Sequence, residues 1–356
     1  MRIAVTGATG NLGSALLRVL ARDGEHEVVG VVRRPPAPPP GHGSSSVEWV
    51  KADLTGDCGD RLAEAFRGAD AVVHLAWGFQ PSHDVGYLER LGVSGTQQVA
   101  EAVATAGVPH LVHVSSIGAY SPRRGPEPIS EDYPTDGVPG SPYSAHKVAA
   151  ERLLDTFEAQ HHDIAVARMR PGIIGQRSAG SALLRYGLPA LVPSLVLRAV
   201  PLLPLDRRLE IPMVHADDVA DAIVRTIAKR AGGAFNVAAP TVITVEHLAG
   251  ALGAHHVQVP ATVVRRAAEL SWRAHLQPVD PGWIDLAYGV PILDTTRAAD
   301  ELGWSPRTDG PEVLEEVVAG MRTRSSDATP PLRPRTVPGS LGWSLRAGSV
   351  SRRREP

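Results

Sequence analysis

The sequence holds a single cysteine, Cys58, among 356 residues. A lone thiol excludes an internal disulfide and fits a reducing compartment. Aromatic side chains make up only 4% of the chain, so the core must be packed mainly from aliphatic residues. Neither sign of charge dominates. The formal net charge of −2 gives no global attraction to nucleic acid or to an anionic membrane. Long apolar runs are missing as well: the most apolar stretch, Leu183 to Leu205, is broken by Arg185, Pro189, Pro193, Arg198, Pro201 and Pro204. A bilayer span tolerates such charges and breaks poorly. The chain opens on a strand pattern rather than a basic-then-apolar leader. These absences lead to the expectation of a cytoplasmic globular protein with no membrane span and no nucleic-acid partner. No metal-like ligand cluster accompanies His74, His113 or His146, so no metal is expected, and the buried pair His74 and His113 reads as structural histidines with satisfied hydrogen bonds.

What is present is alternation. Arg2 to Thr6 is a short apolar run, followed by a glycine-rich turn and then by Leu12, Leu16, Leu17 and Leu20 at helical spacing. Glu27–Val32, Val47–Val50, Ala71–Ala76 and His110–Ser115 read as further strands, with helical patterns at Arg61–Phe66 and Tyr87–Ala106 between them. A helix from about Tyr143 to Phe157 leads to the strand Ile164–Met169. Strand–helix alternation of this kind implies an α/β fold, a doubly wound parallel sheet of Rossmann type with helices on both faces. The expected organisation is a dinucleotide-binding domain over residues 1–170, joined by some later segments, and a smaller C-terminal substrate-binding lobe over 171–322. Residues 323–356 carry seven arginines against Asp327 and Glu355 and lose apolar periodicity, so they are expected to form a disordered basic tail.

Two local patterns carry chemistry. The first is Thr6-Gly7-Ala8-Thr9-Gly10-Asn11-Leu12-Gly13, placed where the first strand becomes the first helix. Glycines there let a pyrophosphate approach bare N–H groups at a helix N-terminus, which makes Gly7, Thr9, Gly10, Asn11, Leu12 and Gly13 coenzyme-binding candidates. The side chain that meets the adenosine ribose follows about 20 residues later. The sequence offers Arg33 and Arg34 rather than an acid. Guanidinium groups suit a 2′-phosphate, so NADP is favoured over NAD. The second pattern is Tyr143-Ser144-Ala145-His146-Lys147 at the start of a helix, one turn apart on one face. An ammonium beside a phenol stabilises the phenolate and suits it to acid–base work. The strand ending in Ser115-Ser116 brings hydroxyls to the same edge of the sheet.

With these residues in hand, the chain resembles an extended short-chain dehydrogenase/reductase, the NAD-dependent epimerase/dehydratase family. The matching features run in order from the Thr6–Gly13 turn through Asp53-Leu54, His74-Leu75-Ala76, Ser115-Ser116 with Tyr120, Tyr143/Lys147 and Arg170-Pro171-Gly172. They continue with Val214 to Ala220, Phe235-Asn236-Val237 and Leu302 to Pro306, and so cover residues 1 to about 320. The resemblance implies that Asp53 and Leu54 flank the adenine, that Leu75 and Ala76 line the path to the nicotinamide ribose, and that Pro171 and Gly172 pass near the carboxamide. It makes Ser116 the hydroxyl that holds the substrate oxygen, Tyr143 the acid/base, and Lys147 the group that holds the ribose and the tyrosine's charge. Asp218 would brace the join between lobes. A homodimer is the oligomer the resemblance implies.

Two departures stand out. Gly92-Val93-Ser94-Gly95-Thr96 has glycine where the family pattern starts with asparagine, and Ile117-Gly118 replaces the Asp-Glu pair of sugar-nucleotide dehydratases. The leading expectation is an oxidoreductase acting on a carbonyl or alcohol of a small molecule with hydrophobic surface. The alternatives are a nucleotide-sugar epimerase, whose diphosphate would need Arg185, Arg198, Arg207 or Arg208, and a coenzyme-binding sensor or scaffold without activity.

Overall fold

The computed structural model describes residues 1–24, 26–36, 47–78, 84–187, 201–274, 276–277 and 279–334. The centre of the apolar segment with Arg198, most of the stretch Pro35–Ser46, which is rich in Pro, Gly and Ser, and the chain beyond residue 334 lie outside them.

Six strands arise where apolar runs were expected: β1 (Arg2–Thr6), β2 (Glu27–Val32), β3 (Glu48–Lys51), β4 (Ala71–His74), β5 (His110–Val114) and β6 (Ala165–Pro171). The strand Gly233–Val237 joins β6, and the sheet order is Gly233–Val237, β6, β5, β4, β1, β2, β3, every pair parallel. The chain therefore winds outward from β1 in one direction and from β4 in the other. Between them, at the C-terminal ends of the strands, such a reversal opens a crevice for ligands.

The inner strands are apolar along their length because both faces are covered. On one face the helices Asn11–Asp23 and Ala216–Lys229 bury Leu12, Leu16, Leu20, Val219, Ile223 and Ile227 together with Phe235 and Trp304. On the other, Gly59–Phe66, Gly95–Ala106 and Pro142–Gln160 bury Leu62, Phe66, Val99, Val103, Leu154 and Phe157. The helix expected at Tyr87–Ala106 has a π-helical turn at Arg90–Ser94 where Val85–Glu89 passes into Gly95–Ala106. Such turns sit often at functional sites.

A second, smaller core gathers Met213, Ile243, Val313, Leu314, Val317 and Val318. Asp218 ties the helix Ala216–Lys229 to the segment 304–308: its carboxylate accepts from Thr308 N–H and its carbonyl from the Trp304 indole. The expectation of a disordered tail from 323 is corrected over residues 323–334. Ser181 N–H donates to Ser325 O at 2.8 Å, and Leu332, 2% exposed, packs on Ala179 and Ala182. The physical reason is one apolar anchor after two turn-setting prolines in an otherwise polar stretch. No helix among the described residues is long and apolar enough to cross a membrane.

Candidate active site

The glycine turn is built for backbone approach. Gly7 has φ +71°, and a Cβ there would stand 2.7 Å from Ala76 N; one on Gly13 would stand 2.4 Å from Gly7 O. The helix that follows starts at Gly10 with no side-chain cap, so its first N–H groups are left for an outside acceptor. This cradle, which any β-carbon would fill, fits the pyrophosphate of a dinucleotide.

The turn opens into a cleft of about 370 Å³. Of all the residues expected at the coenzyme or the reaction, only Arg34 does not line it. Arg34 is exposed at the end of β2, whereas Arg33 reaches the cleft and donates to Tyr87 Oη at 2.7 Å. Asp53 accepts from Thr55 N–H and Oγ1–H, beside the buried Leu54. Asn11 lines the cleft, and its side chain donates to Ile174 O at 3.1 Å and accepts from Gln176 at 2.8 Å. It clamps the segment 174–176 onto the turn.

Tyr143 and Lys147 occupy one side of the helix Pro142–Gln160, whose cap Ser141 accepts from Ser144 N–H. The Tyr143 phenol hydrogen-bonds Ser116, and burial pushes it up to about 12, the Ser116 bond pulling the other way. Gly118, on the departure from the dehydratase pattern, leaves room for this ring: a Cβ there would lie 3.1 Å from Tyr143 Cε1. Lys147 is 2% exposed and donates to Val114 O at 2.9 Å. Burial holds its amine well below the ordinary lysine value, opposed by Glu151. Ser115 is not available to substrate, because it donates to Glu151 at 2.5 Å.

Behind the pair, Thr6, His74, Thr96 and Gly92 O form a buried chain with steps of 2.7, 3.0 and 2.6 Å. Thr96 spends its proton on Gly92 O, so it accepts from His74 Nε2–H, and Thr6 donates to Nδ1. His74 is thus satisfied as expected. His113 is not: neither ring nitrogen has a hydrogen-bond partner, and it stacks on His74 at 5.2 Å and on Trp77 at 6.3 Å. Here the expectation of satisfied histidines is corrected. The cause is position: β5 points this ring between two other rings rather than at a polar neighbour.

Burial holds His74 down to about 3 and His113 well below 6.5. Both are neutral in the fold, whereas in the unfolded chain each takes up a proton below about pH 6.5. Folding stability is therefore expected to fall as the pH drops from about 6.5 towards 4, by about 1.4 kcal/mol per pH unit for each ring. Urea unfolding at pH 7 and pH 5 checks this. His74→Asn should flatten the dependence, and an unchanged slope would remove His74 from the account.

Several residues in the cleft or against its lining carried no signal in the sequence. Trp283 stacks on Tyr143 at 5.2 Å, and Ile173, Met213, Val317 and Leu332 line the apolar wall. They come from five separate segments, and only the folded topology gathers them.

A family model described as the NAD dependent epimerase/dehydratase family matches residues 3–238. An uncharacterized protein of Mycobacterium tuberculosis is 28% identical over 97% of this chain and 32% of its own length, so the chain spans about a third of that relative. A UDP-glucose 4-epimerase of Mycolicibacterium smegmatis is 32% identical over 91% of this chain and all of its own. Among solved structures, a UDP-glucose 4-epimerase of Thermus thermophilus in complex with NAD superposes with a TM-score of 0.66 at 22% identity, covering 90% of this chain and 99% of that one. A likeness at that identity concerns the fold.

Proposed function

Since the chain belongs to the NAD dependent epimerase/dehydratase family, we propose that it is an NAD(P)-dependent oxidoreductase acting on a carbonyl or alcohol through Tyr143. One observation carries the reading. The Ser116–Tyr143 hydrogen bond and Lys147 stand on the wall of the same cleft that begins at the uncapped glycine turn. The turn would hold the pyrophosphate, Asp53 and Leu54 the adenine side, Leu75 and Ala76 the ribose path, and Pro171 and Gly172 the carboxamide. When bound, the coenzyme supplies the two-electron redox chemistry. Tyr143, neutral at physiological pH, gives its proton to the substrate oxygen, which Ser116 Oγ also holds. In the reverse direction the phenol must lose that proton, and a positive charge on Lys147 stabilises the phenolate.

The substrate has apolar surface. Among the described residues lining the cleft the cations are Arg33 and Lys147 alone. Arg185 donates to the carbonyls of Pro331 and Arg333, Arg208 pairs with Asp206 at 2.8 Å, and Arg207 is exposed outside the cleft. A dehydratase acid pair has no counterpart, since Ile117 is buried and Gly118 makes room for Tyr143. A second reading, nucleotide-sugar epimerisation, is favoured by the similarity to a UDP-glucose 4-epimerase. Screening carbonyl compounds and nucleotide sugars separates the two. Net change of reduced-coenzyme absorbance with turnover supports the first reading, and product isomer without it the second. No turnover of any kind, with coenzyme bound, leaves the sensor.

We also propose NADP as the preferred coenzyme, because Arg33, just past the end of β2, lines the cleft at the position where an acid would hold the ribose hydroxyls of NAD; the solved Thermus thermophilus neighbour carries NAD instead. Separate titrations should give NADPH at least about tenfold tighter binding than NADH, the scale of one charge-assisted hydrogen bond. Arg33→Ala should bring the ratio to about one. Equal affinities in the unaltered chain end the preference.

A further inference from the structure

The glycine at 92 and the tryptophan at 77 belong together. Trp77 follows Leu75 and Ala76 at the end of β4 and faces the cleft. Its six-membered ring fills the space beside Gly92: a Cβ on that residue would lie 2.9 Å from two ring carbons and 3.2 Å from a third. No side chain fits at 92 while the indole stays where it is. The same indole lies under the ammonium of Lys147, with Nζ 3.4 Å from the ring centroid. It meets Tyr143 edge-on at 6.4 Å between centroids and His113 at 6.3 Å.

Lys147 has little else to hold its head group. Among the described residues its ammonium donates to Val114 O, and Glu151, the carboxylate that influences it, is bound to Arg170 and Ser115. A long flexible side chain with one backbone acceptor needs a second surface to fix its direction. The face of an indole, negative at its centre, is such a surface for an ammonium, and more so away from water.

We propose that Trp77 is a positioning residue for Lys147. Its ring, admitted by the absent side chain at Gly92, fixes the ammonium on the cleft wall in the place where the family pattern carries asparagine. This rests on the reading of Lys147 as a coenzyme-holding group. Trp77 acts through Lys147, and Gly92 acts through Trp77.

The test uses the full chain with NADPH and NADH as probes. Trp77→Leu is expected to weaken binding of the preferred form about tenfold, the scale of one desolvated cation–π contact, while Trp77→Phe, which keeps an aromatic face, stays within about threefold of the unaltered chain. Gly92→Ala, which pushes the indole aside, should weaken binding in the same direction and add nothing to Trp77→Leu. The decisive comparison is in a Lys147→Met background, where Trp77→Leu should have no further effect. Equal weakening with and without Lys147, or no weakening at all, overturns the proposal, because the tryptophan then serves the fold or the ligand directly. A second measurement needs no coenzyme. Pulse acetylation of Lys147, read by mass spectrometry, should be faster in Trp77→Leu than in Trp77→Phe, and identical rates overturn the proposal too. A chain that binds neither coenzyme but shows this difference in acetylation loses the functional reading and keeps the tryptophan–lysine contact.

Discussion

Tyr143→Phe is expected to lower turnover by about 10²–10⁴-fold, the range for removing a placed acid/base, while coenzyme affinity shifts by less than about threefold. The argument is geometric. The substitution deletes one oxygen, which hydrogen-bonds Ser116, and leaves the ring that Trp283 and Gly118 enclose. Packing, the glycine turn and Lys147 stay in place, so binding has no reason to change. The measurement is a pair: kcat on whichever compound the screen finds, and a coenzyme titration on the same preparation. Turnover within about threefold of the unaltered enzyme would take the proton-transfer role away from Tyr143. A parallel collapse of coenzyme binding would point to a structural role for the hydroxyl instead.

The largest effect on stability is expected at Glu151. Its two oxygens take Arg170 Nε at 2.9 Å and Nη2 at 2.5 Å, and the two side chains are 5% and 8% exposed. Arg170 also donates to Tyr120 Oη and to Glu131 O, and Tyr120 donates to Asn236 Oδ1. This buried set joins β6 to the Gly233–Val237 strand and to the segment between β5 and the helix Pro142–Gln160. Glu151→Ala leaves a buried guanidinium with half its partners, which costs about 3–5 kcal/mol. Urea unfolding at neutral pH measures it. The double replacement Glu151→Leu with Arg170→Met should cost less than Glu151→Ala alone, since no charge is then stranded. A loss below about 1 kcal/mol for Glu151→Ala would mean that water or a shifted side chain takes over the guanidinium.

The parts of the fold that could be read from the sequence are those with local causes. Apolar runs between turn residues marked the strands, and the spacing of Leu12, Leu16 and Leu20 marked the first helix. Its glycines marked the coenzyme turn because conformation and close approach act within eight residues. The Tyr143/Lys147 pair was legible for the same reason, being one helical turn. Arg170 and Asn236 stood out as parts of a matched pattern, but their role did not, because the network they build draws on partners up to 116 residues apart. Gly92 could be read only as a departure from the family pattern, and nothing in the sequence joins it to Trp77. Only their contact in three dimensions joins them, and Trp283 gave no signal at all. Residues 323–334 were misjudged because a single leucine, Leu332, outweighs the polar residues around it once a complementary surface exists.

The sheet takes its outermost strand from Gly233–Val237, and its bulkiest fully buried side chain, Trp304, arrives later still. On the ribosome, then, the phosphate turn, the serine and the tyrosine all emerge well before the layer that shelters them can close. For that interval β6 presents an unpaired edge and the first helix an uncovered flank, the features that invite aggregation or a chaperone. A gene cut after residue 170 would make that transient condition permanent.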